Sequence, residues 1–148
     1  MISRVGWLSG EYAALLKKRA LSMLALAKRL LSEGQNDLAA LNAEYAAQLY
    51  LKALLYRVSG EEWRGHGIRA LLGALSAVLE GAGFREEAEM IMDYVRGRRR
   101  ALAELEEAHT RAVYGVFEYD EKQAAALVSL AEEVIELLRK VEEGVIGD

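Results

Sequence analysis

Glu106-Glu107-Ala108-His109 sets a carboxylate and an imidazole three residues apart. On a helix that puts both on one face, which is the ligand spacing of di-iron bundles. Such a site needs the pair twice and two further Glu residues. The other histidine, His66, has Trp63 three places before it, so the chain holds one copy, and no metal or cofactor is expected. His109-Thr110-Arg111 pairs an imidazole with a guanidinium. Residues two apart point about 200° round a helix, however, so these two groups can converge only across two chains. Arg96-Gly97-Arg98-Arg99-Arg100, with Lys17-Lys18-Arg19 and Lys28-Arg29, supplies cations that could meet phosphates. Asp93 one turn before Arg96 and Glu104 one turn after Arg100 support the competing reading, a solvated ion-paired surface. Gly60-Glu-Glu-Trp-Arg-Gly-His66-Gly67 lacks the Walker A spacing with its Lys and a preceding strand, so it is not a P-loop. It is expected to cap one helix and start the next, with Trp63 covering the core.

The elements that position these groups read as about five helices of an up-and-down antiparallel bundle, one domain over residues 1–148. The first is expected from about Gly10 to Glu33, with Ser9 as its N-cap and Leu16, Ala20, Met23, Ala27 and Leu30 on one face. The second follows Asp37 and ends near Val58, with Gly60 beyond it. In this helix Glu44, Gln48 and Lys52 recur every four residues and line one side, while nearly every other side is apolar. A helix without a broad polar face must be enclosed by neighbours, within the bundle or across a subunit contact, and a homodimer is expected on that ground. The polar stripe itself either fixes packing as a solvent-facing or inter-helix network, or faces a ligand or protein partner across a cleft. Helix three spans about Gly67 to Glu80, stopped by Gly81-Ala82-Gly83. Helix four runs from about Arg85 to Val113, with Gly97 bending or interrupting it at a cost of roughly 1 kcal/mol relative to Ala. Asp120 and Gln123 form a capping-box variant for a last helix to about Glu143.

The chain has no Cys, which closes off disulfides, thiolate nucleophiles and Cys-ligated metals. Its apolar runs are broken well short of about 18 residues, and Met1 to Leu8 lacks a signal-peptide core, so an internal, cytoplasmic protein without a membrane span is expected. A formal net charge of −4 argues against general coating of polyanions, while leaving room for a local basic patch. Few Asn and Gln beside many Glu, Arg and Ala point compositionally toward a thermophilic source.

Asp37-Leu38-Ala39-Ala40, Ala43-Glu44-Tyr45-Ala46-Ala47-Gln48-Leu49 and Lys52-Ala53-Leu54-Leu55 resemble the second helix of the HEPN family. The likeness continues through His66-Gly67-Ile68-Arg69-Ala70-Leu71-Leu72, similar to that family's His-led third helix. It extends to Tyr114-Gly115-Val116-Phe117-Glu118-Tyr119 before an acidic last helix. The resemblance implies an all-α bundle. Ribonuclease members carry an Arg, four to six intervening residues and a His, the His acting as acid or base and the Arg holding phosphate. No basic residue stands at that distance before His109 or His66, and the nearest Arg before His109 is Arg100. The expectation is therefore a non-catalytic module, with a cross-dimer ribonuclease built on His109 and Arg111 as the alternative and a purely structural bundle as the third reading. Many standalone members have an Arg-Tyr pair before the last helix. Here Val113-Tyr114 occupies that place, with Arg111 two positions earlier. Nucleotide or RNA binding is assigned on this basis to Arg96, Arg98, Arg99, Arg100, Arg111 and Tyr114. The packing reading, in which Tyr114, Phe117 and Tyr119 plug the end of the bundle, stands against it. Because family members are often encoded beside small nucleotidyltransferases in toxin–antitoxin-like pairs, the resemblance implies such a transferase as partner.

Overall fold

The computed structural model describes residues 2–65 and 67–147, so His66 and its expected role in opening helix three lie outside the described residues. Six helices follow one another: α1 (Ile2–Ser32), α2 (Asn36–Ser59), α3 (Ile68–Gly81), α4 (Arg85–Gly97), α5 (Arg99–Tyr114) and α6 (Glu121–Ile146). No described residue lies in a strand. No described helix is long and apolar enough to cross a membrane.

The sixth helix comes from Gly97. The expected fourth helix breaks there because a glycine weakens the helix and Arg98 leaves the α-region, with φ −129° and ψ 21°. Arg98 ends α4 and begins α5, and its Nε lies 2.9 Å from Glu133 Oε1, which ties the break to α6. α1 begins earlier than expected, so Ser9 sits within the helix instead of capping it. At the end of α2, Gly60 adopts φ 75°, a left-handed conformation open to glycine without a Cβ clash, and its N–H donates to Tyr56 O at 2.8 Å.

The apolarity of α2 has its cause within the chain. This helix packs against α1, α6, α5 and α3. Ala39, Ala40, Ala43, Ala46 and Ala47 are fully buried, and their small side chains allow the neighbouring helices to approach closely. Four neighbours account for the narrow polar stripe without a subunit contact, so this feature no longer argues for a dimer. The core is completed by Leu72 and Leu75 of α3, Ile91 of α4, Leu102 and Leu105 of α5, and Val134 and Leu138 of α6.

The capping box of α6 is present. Asp120 Oδ1 accepts from Gln123 N–H at 2.7 Å, and Gln123 Oε1 accepts from Asp120 N–H at 3.0 Å. Asp120→Ala removes one of these bonds and should cost about 1 kcal/mol. The check is a fall in the urea midpoint equal to that energy divided by the denaturant slope, with the slope itself unchanged.

Candidate functional site

Glu44 is 1% exposed in the centre of α2. A carboxylate there must be paired or protonated, since burial penalises the charge. Gln48, one turn on, donates through Nε2 to both carboxylate oxygens, at 2.6 Å and 3.1 Å. From α5, His109 brings Nδ1 to 3.2 Å from Glu44 Oε1. Desolvation is the largest influence and raises the Glu44 pKa to about 7, opposed by the Gln48 hydrogen bond and the Lys52 charge and reinforced by Glu106. The Glu44 carboxyl thus changes charge near neutral pH.

His109 is held from two sides. Its Nδ1 edge is turned inward to Glu44, and its ring lies 5.2 Å from that of Tyr45 at 58°. The side chain keeps 38% exposure, so solvent reaches the edge away from Nδ1. The Glu44 carboxyl thus stands beside the inward edge of the imidazole as a close electrostatic contact between α2 and α5. Sequence reasoning noticed each residue and missed their meeting. The signal was a lone carboxylate on an otherwise buried alanine-rich helix, which requires a partner from another element.

Glu106, one turn before His109, is engaged in structure. Its Oε1 accepts from the backbone N–H of Arg69 at 2.7 Å and from Arg69 Nε at 2.9 Å, while Oε2 accepts from Arg69 Nη2 at 3.1 Å. This fork binds the first turn of α3 to α5, where a carboxylate also complements the helix dipole. The Glu-x-x-His spacing therefore joins three helices, one through each acid or imidazole contact.

The expected polar stripe divides. Glu44 and Gln48 are buried and form an inter-helix network with α5, so the solvent-facing version of the packing reading does not hold for them. Lys52 instead lines a cavity with Tyr12, Tyr56 and Trp63, and Trp63 packs against the core as expected.

The basic cluster divides too. Arg96 pairs with Asp93 at 2.6 Å and Arg98 with Glu133 at 2.9 Å, as an ion-paired surface would have them. Arg99 borders a shallow recess with Arg69 and Glu106. Arg100 and Arg111 meet Lys122 in a groove of about 660 Å³ between α5 and α6. Glu104, Glu107 and Asp120 share that groove, so its three cations are matched by three acids and it carries no broad positive field.

Arg111 and His109 do not converge within the chain. The Arg111 guanidinium lies over the Tyr119 ring, with Cζ 4.5 Å from the centroid. Tyr119 is itself fixed at the start of α2: its N–H donates to Asp37 Oδ1 at 2.8 Å, and its carbonyl accepts from Asn36 Nδ2 at 3.3 Å. Of the three aromatics expected to plug the bundle end, Tyr119 alone does so. Tyr114 is 80% exposed and Phe117 77%, because anchoring at Tyr119 leaves the preceding loop outside the core. Tyr114, one turn beyond Arg111, presents its ring to solvent.

A family model described as HEPN domain matches residues 13–141, most of the chain. Comparison with curated proteins and with solved structures returned no match.

Proposed function

The chain belongs to the HEPN family, and from that premise we propose a non-catalytic module that binds the phosphates of a single-stranded RNA or a nucleotide in the α5/α6 groove. The observation that carries the reading is the placement of Arg111: its guanidinium rests on Tyr119 in the groove beside Arg100 and Lys122, away from His109. In this reading the three cations take phosphates and exposed Tyr114 and Phe117 offer faces on which bases stack. A groove of about 660 Å³ is within the size range of small-molecule sites, roughly 300–1,000 Å³. In the same reading the protein is a homodimer and pairs with a nucleotidyltransferase in a toxin–antitoxin-like system. Exposed Val113, Tyr114, Val116 and Phe117 form the apolar surface that supports a protein contact.

The test is binding of a labelled single-stranded RNA at several salt concentrations. Three cation–phosphate contacts give a log–log salt slope of about −2, from roughly −0.7 per contact on single strands. RNA that fails to bind at low salt ends this reading.

The Glu44–His109 pair favours a second reading, a ribonuclease whose site is completed across a dimer by the partner's arginines. An oriented imidazole is half of that machinery. Cleavage lost in both His109→Ala and Arg111→Ala, with helix content and mass unchanged, would establish it in place of the first.

A further inference from the structure

A cavity of about 450 Å³ opens between α1, the second half of α2 and the loop that follows α2. It shares no lining residue with the α5/α6 groove. Its walls include the rings of Tyr12, Tyr56 and Trp63, and its charges are Lys52, Arg64 and Glu62. The two tyrosines meet edge to face, centroids 5.0 Å apart at 80°, which fixes their ring planes. The loop is held in place by Ser59. Its hydroxyl accepts from Glu61 N–H at 3.1 Å and from Trp63 Nε1 at 3.2 Å, so the indole is oriented before any ligand arrives.

Among the described residues neither Lys52 nor Arg64 takes part in an ion pair. Two cations against one carboxylate leave the lining with a positive excess, although Lys52 also interacts with the Glu44 carboxyl two turns back on α2. Three aromatic walls beside that excess select a ligand that is flat, apolar on its faces and anionic at one end.

We propose that this cavity binds a planar aromatic anion, its ring among Tyr12, Tyr56 and Trp63 and its carboxylate or phosphate on Lys52 and Arg64. The site is separate from the groove assigned above and stands or falls without it.

Calorimetric titration of the full chain tests the assignment with adenosine monophosphate, benzoate and inorganic phosphate as probes. The expected result is saturable binding of one or both aromatic anions with a dissociation constant at or below about 1 mM. Arg64→Gln and Lys52→Met should each weaken that binding about tenfold, and inorganic phosphate alone should not saturate the site. Adenosine monophosphate bound in preference to benzoate identifies a nucleotide source, and the reverse an aromatic carboxylate. Arg64 is exposed in the loop, so its variant keeps the fold and remains readable even where Lys52→Met lowers the melting temperature. The proposal is overturned if neither aromatic anion binds, or if binding survives both substitutions unchanged.

Discussion

Replacing Glu44 by Gln should raise stability above pH 7, and by less than about 1 kcal/mol near pH 5. The Glu44 carboxyl ionises at about 7 in the folded protein, against 4.5 when unperturbed, and desolvation is the main cause. Between those values the unfolded chain has released the proton and the folded one retains it, so stability falls as pH rises. The penalty is complete above about pH 7 and amounts to about 3 kcal/mol, since each pH unit between the two values contributes roughly 1.4 kcal/mol. The groups that act on the carboxyl are Gln48 and Lys52 from α2, and His109 and Glu106 from α5, the last bound to Arg69 of α3. Gln retains the side-chain shape and cannot ionise. Urea unfolding of both proteins at pH 5 and pH 8 checks this. A variant less stable than the parent at pH 8 would mean that the ionised pair with His109 stabilises the fold, contrary to the burial argument.

Reversing two charges in the α5/α6 groove should have the larger effect on binding. Arg100→Glu with Arg111→Glu removes two of the three cations and adds two acids beside Glu104 and Glu107. RNA affinity at low salt should fall by about 100-fold, and the salt slope should lose most of its magnitude. The stability cost is small. Arg111 gives up a cation–π contact with Tyr119 worth about 0.5–1 kcal/mol at such a site. The same double reversal at Arg96 and Arg98 is the control. Those two are already paired with Asp93 and Glu133, so it should change affinity much less.

Local signals in the chain translated directly into structure. The Asp120 and Gln123 spacing marked a capping box, Gly60 marked a helix end, and the apolar positions of α6 from Leu127 to Val141 are its buried face. Gly97 allows a bend or an interruption, and neighbouring Arg98 decides for interruption by pairing with Glu133 of α6. Pairings between distant elements were not legible. Glu44 and His109 lie on α2 and α5, and periodicity does not reveal that those helices meet there. Tyr114, Phe117 and Tyr119 are alike as aromatics near one helix end, and their different fates depend on Asp37 and Asn36 holding the backbone at Tyr119. The division of the arginine cluster has the same origin, because Arg96 and Arg98 follow the acids that the fold places beside them.

The central claim is that the chain holds RNA and leaves it intact. Fluorescence anisotropy of a labelled single-stranded RNA, followed for hours with saturating protein in a chelator, tests both halves at once. The account predicts a rise on mixing that stays level, with the His109→Ala protein giving the same trace. A rise that decays as the RNA is cut, and a decay absent from His109→Ala, would contradict it. So would a trace that never rises.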